Sequence, residues 1–527
     1  MLDSGHADDQ AVEAYPMPPD ARPDEAHRVR VAGRPVVVEQ FGDVAYARFA
    51  IGGPVGLEIE VAGRIERHAV FPAGRVASSR AGGSLLRLEL PAPQSVVVWI
   101  DDLVPLFLLP DPPDPDPPLA GAAGVLEVTA FGADPGGEAL ATEPLQAAID
   151  AATRRPGGAT VLLPPGVFRT GTLSLKRDVR LYLAPGAVLL GSADPDDYPL
   201  DEGRRESAGD ASLSPDVRNL GRTMTFSRLL LVDRSTNVRI AGRGTIDGQG
   251  ARLRATHGLA PNLLRVRQSS NVAVEDVLFR DSAAWSLHIL ASSHVAVRNV
   301  KVINHRTAPN TDGIDPDMSS DVTIDRAFIY TKDDAICVKA SGNGGLAGDP
   351  RRIVATRNLV SSLDAGLKVG TESDAATFAD IRFEDNHVFN SGRAMSIVVR
   401  DGATYEDLVF RGIEVGPNVE HLVEQVIGVR DPAAALGSIR GLVFDDVRAA
   451  DYRMPASNWT WYAQFRPGRP SAGAQVNVFE GADPGHALDD LRLARFVVNG
   501  EHLGDASTAA RVAGLTIGPH VRRVTFD

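Results

Sequence analysis

A short motif, apolar–x–apolar, recurs along the 527-residue chain at Val238/Ile240, Val272/Val274, Val295/Val297, Val322/Ile324, Ile353/Ala355, Ile381/Phe383, Leu408/Phe410 and Leu442/Phe444. The steps between first members are 34, 23, 27, 31, 28, 27 and 34 residues. Within each motif the apolar residues alternate, so each is a strand with one buried face. Most follow an Asn, Asp, Ser or Arg, as in Ser270-Asn271-Val272 and Ser320-Asp321-Val322, residues that suit a tight turn. A repeat of this length buries nothing alone and must stack on its neighbours. With no helices between the strands, the stack expected is a right-handed parallel β-helix. A large antiparallel β-sandwich would need hairpin signals such as Asn-Gly, which are scarce.

The rest of the chain divides around this repeat. Residues 1–27 are acidic and Pro/Ala-rich and are expected to be disordered or extended. Residues 28–109 hold short strand-like runs such as Leu57-Glu58-Ile59-Glu60-Val61 and Val96-Val97-Val98-Trp99-Ile100, separated by Gly and Pro. That spacing predicts a small β-sandwich. Residues 110–124 open with Pro110-Asp111-Pro112-Pro113 and read as a stiff linker. Residues 125–527 form the β-helix, its N-terminal end capped by an amphipathic helix over Thr142 to Thr153. The fold class expected is all-β: a parallel β-helix preceded by a small N-terminal β-sandwich.

The net charge of −14, with no Lys/Arg run, argues against nucleic acid. No apolar stretch is long enough to cross a bilayer. Cys337 is the single cysteine, so no intramolecular disulfide forms; it sits in an apolar strand and is expected to be buried and inert. The first segment lacks a basic and apolar leader, which predicts a cytoplasmic location, or a secreted one if a leader has been removed. Oligomeric state is left open.

Chemistry concentrates in Asn310-Thr311-Asp312-Gly313-Ile314-Asp315-Pro316-Asp317 and Lys332-Asp333-Asp334-Ala335-Ile336. Like charges raise one another's pKa, so crowded carboxylates need a reason. Asp333 and Asp334 lie 21 and 22 positions after Asp312, about one coil of the repeat. Residues one coil apart stack about 4.8 Å apart, so the three carboxylates cluster. Consecutive residues of a strand face opposite ways, so the chain must turn at Asp333-Asp334 if both serve the site. Lys332 is placed to hold one of them ionised. Paired carboxylates suit glycosidic hydrolysis, where one gives a proton to the leaving oxygen and another activates water or attacks carbon.

These motifs, with Asp333-Asp334-Ala335-Ile336-Cys337-Val338-Lys339, resemble the signature of the polygalacturonase family, the family 28 glycoside hydrolases. Val128-Thr129-Ala130-Phe131-Gly132-Ala133, Ala284-Trp285-Ser286-Leu287-His288 and Gly370-Thr371-Glu372 extend the likeness. A small β domain ahead of a β-helix is also similar to the related dextranase family, within the pectate-lyase-like superfamily. The resemblance implies an inverting mechanism with Asp333 as general acid and Asp312 and Asp334 activating water. An oligo- or polysaccharide substrate is expected, with no cofactor and no metal. The chain departs from the family where a His is usual, at Ala365, and where an Arg-x-Lys grips a uronate, at Ser396 and Val398. Arg400 lies close but out of register. These departures point away from plain polygalacturonate. Two other readings stay open: a Ca²⁺-dependent polysaccharide lyase using the same carboxylates, and a non-catalytic carbohydrate-binding β-helix.

Further substrate contacts are expected from Asp315, His288, Trp285, Lys368, Glu372 and Arg400, whereas Asp317 is expected in a solvated turn. Trp459, Trp461 and Tyr462 form an aromatic cluster expected in a packed loop. The glycines of Gly242-Arg243-Gly244-Thr245-Ile246-Asp247-Gly248-Gln249-Gly250 are not followed by a helical pattern, so a β-helix turn is expected there and not a dinucleotide site.

Overall fold

The computed structural model describes residues 12–199, 227–257, 260–429, 435–454 and 477–527. The aromatic cluster Trp459, Trp461 and Tyr462 lies outside the described residues.

The repeat sets the architecture. Val238 pairs in register with Val272, Val272 with Val295, Val295 with Val322, Val322 with Ile353, Ile353 with Ile381, Ile381 with Leu408, and Leu408 with Leu442. All these ladders are parallel, so the sequence steps are coils of a right-handed parallel β-helix. A representative coil runs Ser293–Arg298, Lys301–Ile303, Ile314–Asp317; the next runs Ser320–Asp325, Phe328–Thr331, Ile336–Ala340. Inward residues stack on their own kind, as Phe383, Phe410 and Phe444 do with ring centroids 4.9 and 5.3 Å apart. The turn residues before the motifs have a physical reason. Asn237, Asn271, His294, Asp321, Arg352, Asp380 and Asp407 all adopt φ between 52 and 56°, a left-handed conformation that short polar side chains tolerate best.

The helix Thr142–Thr153 closes one end, burying Leu145, Ala148, Ile149 and Ala152. Two further helices among the described residues were not expected. Ala506–Ala513 packs Ala509 and Ala513 on the core near the other end. Gly250–His257 follows the glycine cluster, which corrects the reading that no helix does; of its described side chains only Leu253 is buried, too few for an apolar stripe. The strand before it, Thr245–Asp247, belongs to the β-helix, so no dinucleotide fold results.

The N-terminal region is two packed sheets. Strands Val44–Ala50, Val96–Ile100 and Leu106–Asp111 are almost wholly apolar because both faces are covered. Ala45, Ala47, Phe49, Val96, Val98, Leu106 and Leu108 fill the sandwich. The alternate residues Val44, Tyr46, Val97, Phe107 and Leu109 pack on Leu278, Ile303, Phe328, Tyr330, Leu359 and Phe389 of the β-helix. The ends of this region differ from expectation. Glu13–Ala14 pairs with Ala50 and Phe49, so Val12 onward is attached to the sheet. Leu106–Asp111 runs two residues into the expected linker, because Pro110 pairs on one side only and needs no second donor. The remaining proline-rich segment lies along the β-helix, held by Arg180 on Asp116 and Tyr182 on Asp114.

Candidate active site

The three carboxylates come from two neighbouring coils. Asp312 ends the loop before strand Ile314–Asp317, and Asp333 and Asp334 occupy the turn between Phe328–Thr331 and Ile336–Ala340. The coils touch here: the Gly313 amide donates to the Asp334 carbonyl at 2.9 Å. A Cβ at Gly313 would lie 2.3 Å from the Ala335 carbonyl, so only glycine allows the approach. One oxygen from each of Asp312, Asp333 and Asp334 falls within 4.8 Å of the others. Asp312 and Asp334 are buried and Asp333 is half-buried. Asp333 accepts from the Asn310 amide at 2.9 Å and from the Asp334 amide at 3.1 Å.

The counter-ions come from the following strands and not from Lys332. Lys339 Nζ sits 2.6 Å from Asp312 Oδ2 and 3.1 Å from Asp315 Oδ1, and 3.8 Å from the centre of the Trp285 ring. Lys368 Nζ sits 2.7 Å from Asp334 Oδ2, and the Ala365 amide donates to Asp334 Oδ1 at 3.3 Å. Burial pushes the Asp312 carboxyl well above the usual range; Lys339 opposes this, while Asp315, Asp333 and Asp334 add to it. Burial likewise pushes Asp315 up to about 7 against the pull of Lys339. Burial works against a charged Lys339, but Asp312 and Asp315 outweigh it and hold its ammonium well above the ordinary lysine value.

Asp315 and Asp317 lie in a strand and are wholly buried, which corrects the solvated turn expected for Asp317. Pro316 is tolerated in this strand because it pairs with Ile289 on one side only, while Asp317 pairs on both. Asp317 accepts from the Ser341 amide at 2.9 Å and from His288 Nε2 at 2.9 Å. His288 is wholly buried, its pKa lowered by burial to about 4, so it braces the site from behind and does not line it. Its ring stands nearly perpendicular to that of Trp285, with centroids 4.8 Å apart. Trp285 is 9% exposed and offers one face to Lys339. Lys368 is taken up by Asp334 and does not stand open to substrate. Glu372 is half-buried one coil on from Lys339, near enough to raise its pKa. Arg400 is buried, its amide donating to Ser373 Oγ at 2.9 Å. Cys337 is buried, and its thiol donates to the Gly370 carbonyl at 2.7 Å.

Two contributors escaped the sequence reading. Lys339 was visible in the motif but had no partner until the coils stacked. Arg254, on the unexpected helix, donates to the carbonyls of Ala283 and, at 2.5 Å, Pro309. Pro309 precedes the Asn310 amide that holds Asp333, so Arg254 steadies that donor.

The same trio has the reach of a metal site. Lys339 and Lys368 already neutralise two of its three carboxylates at hydrogen-bond distance, and a divalent ion there would face two ammonium groups. The donor set fits a carboxylate–ammonium centre better than a cation cage.

Residues 220–417 match the family model for glycosyl hydrolases family 28. The match spans all three clustered carboxylates and both lysines, and the likeness to polygalacturonases read from the sequence is shown. A probable polygalacturonase of Vitis vinifera is 28% identical over 305 residues, covering 54% of this chain and 59% of the relative. An exo-poly-alpha-D-galacturonosidase of Dickeya chrysanthemi is 29% identical over 264 residues, covering 40% and 41%. The chain thus spans about half the length of these curated relatives. Among solved structures, an exopolygalacturonase from Thermotoga maritima superposes with a TM-score of 0.54 at 19% identity, over 72% of this chain and 87% of that one. Dex49A from Penicillium minioluteum superposes with a TM-score of 0.60 at 11% identity, over 99% and 97%. At these identities the structures speak to fold, and the second covers the N-terminal region as well as the β-helix.

One row of the sheet that carries Ile314–Asp317 and Ile336–Ala340 leads away from the carboxylates and ends at Glu424, past the matched residues. Cys337 pairs in register with Lys368, Lys368 with Ser396, and Ser396 with Glu424. Ser396 Oγ donates to Glu424 Oε2 at 2.8 Å, and Arg393 lies between Glu424, at 3.2 Å, and Asp364.

Proposed function

We propose that the chain hydrolyses an α-linked oligo- or polysaccharide with inversion at the anomeric carbon, and that plain polygalacturonate is not its preferred substrate. The observation that supports this most is the convergence of three carboxylates within 4.8 Å, two of them capped by ammonium groups. Asp333 is the most solvent-facing of the three and is assigned as general acid to the leaving oxygen. Asp312 and Asp334 are assigned to the attacking water.

Most inverting enzymes separate their two carboxyls by about 6.5–9.5 Å, and retaining ones by about 5 Å. A close pair alone would therefore suggest retention. Here a third carboxylate is present, and Oδ2 of both Asp312 and Asp334 is tied to a lysine. An oxygen held in a buried ion pair is a poor nucleophile toward carbon but can still orient water. Family 28 is an inverting family.

The substrate reading rests on the row beyond Lys368. The cations beside Ser396 are engaged by protein carboxylates, Arg393 by Glu424 at 3.2 Å and Lys368 by Asp334, and Glu424 takes the Ser396 hydroxyl. A neutral glycan asks for no cation there. A panel of α-linked oligosaccharides, neutral and uronate, tests this: faster turnover of a neutral member is expected, and the highest kcat/KM on polygalacturonate would overturn it. The carboxylate trio keeps a Ca²⁺-dependent lyase as the second reading. EDTA separates the two, since loss of activity together with ultraviolet-absorbing unsaturated products would establish the lyase.

A further inference from the structure

We infer that Lys339 is the positioning residue of the reaction, holding Asp312 as the carboxylate that takes a proton from the attacking water. The inference rests on the hydrolase reading above. Lys339 Nζ caps Oδ2 of Asp312 at 2.6 Å, while Oδ1 is buried with no protein hydrogen bond. One oxygen is fixed and the other is left as a proton acceptor. The ammonium is itself held from two further sides, by Asp315 at 3.1 Å and by the face of Trp285 at 3.8 Å. Trp285 is buttressed by the perpendicular His288 ring, and His288 is pinned to Asp317. The buried row behind the site thus ends on one nitrogen.

The step balances. A water proton passes to Asp312 Oδ1 as the water oxygen bonds to the anomeric carbon. The glycosidic C–O bond breaks with its electron pair going to the leaving oxygen, which takes the Asp333 proton.

The charges around this centre are defined. Asp312, Asp315, Glu372 and the Cys337 thiol face Lys339. Asp312 also faces Asp333 and Asp334, and Asp334 carries Lys368. His288 behind Trp285 is neutral above about pH 4. Removing the ammonium removes the group that lowers the Asp312 pKa, so Asp312 stays protonated to higher pH and the acidic limb of kcat/KM moves up.

The test compares Lys339→Met and Lys339→Arg on whichever α-linked oligosaccharide the panel selects. The Met variant should shift the acidic limb upward by roughly one to three pH units, and the Arg variant should leave it in place. A folded Met variant with an unmoved limb overturns the inference, because a purely structural lysine would lower activity without changing its pH dependence. If the Met variant does not fold, Lys339→Met/Asp315→Asn removes one charge of each sign; Asp315 itself raises the Asp312 pKa, so a smaller upward shift is expected, and an unmoved limb or failure of that variant to fold overturns the inference. Infrared titration of ¹³C-aspartate-labelled protein, with the Asp312 band assigned by Asp312→Asn, reads the same shift without substrate. If no glycan is turned over, the hydrolase reading fails while this titration still shows whether Lys339 sets Asp312.

Discussion

Lys368 and Asp334 form a buried ion pair across adjacent coils, Nζ to Oδ2 at 2.7 Å, with the lysine side chain 1% and the aspartate 5% exposed. The pair links the Asp333-Asp334 turn to the next strand of the sheet, so its charge balance is part of both the fold and the carboxylate cluster.

Breaking this pair from one side should be costly. Lys368→Met leaves the Asp334 charge uncompensated and is expected to lose about 3–5 kcal/mol of stability, read as a lower midpoint in urea unfolding. Lys368→Met/Asp334→Asn should recover most of that loss. A double variant no more stable than the single one would show that the pair is not the source.

Asp333→Asn should reduce kcat by about 10²–10⁴-fold with only a modest fall in melting temperature, since Asn keeps its oxygen for the Asn310 amide and gives up the acceptor toward the Asp334 amide. Steady-state kinetics with circular dichroism as a fold control checks this. Unchanged turnover would favour the non-catalytic reading.

Burial holds the His288 pKa near 4 in the fold, against about 6.5 when unfolded. As pH falls from 6.5 to 4, the unfolded chain takes up a proton that the folded one refuses, so stability drops by about 3 kcal/mol from this residue. Asp315, raised to about 7, has the opposite sign: its contribution is full below about pH 3.9 and is lost as pH rises to 7. Wild type should therefore lose stability relative to His288→Gln as pH falls from 6.5 to 4. Parallel curves for the two would contradict the assignment of His288 as a buried neutral brace.

The N-terminal sheets and the β-helix are expected to melt as one unit. They share an apolar contact around Phe107, Phe328 and Tyr330. Arg280 also gathers Asp20 and Glu39 from one side and Asp247 from the other, at 3.1, 3.2 and 2.6 Å. Deleting residues 1–111 should give insoluble protein or a much lower Tm. A soluble truncated chain with wild-type Tm would show that the contact is dispensable.

The stacking of coils was legible because the motif steps are themselves the register: Val272 sits on Val238 and Val295 on Val272. The clustering of Asp312 with Asp333 and Asp334 followed from the same arithmetic. What sequence spacing does not carry is which lysine reaches which acid. Lys332 is adjacent in the chain, yet Lys339 and Lys368 reach the carboxylates, because the turn at Asp333-Asp334 directs them toward the following strands. Asp317 read as a turn residue beside Pro316, but a parallel neighbour on each side makes it strand and leaves it to hold His288. The helix Gly250–His257 was hidden because one buried leucine gives no periodicity.

The central claim is that Asp312 and Asp334 direct water, and not one of themselves, to the anomeric carbon. Proton NMR of the first-formed reducing end from an α-linked oligosaccharide tests it directly. The account predicts the β-anomer, appearing before mutarotation and absent with Asp333→Asn. An initial α-anomer would mean a covalent intermediate on one of these carboxylates and would contradict it.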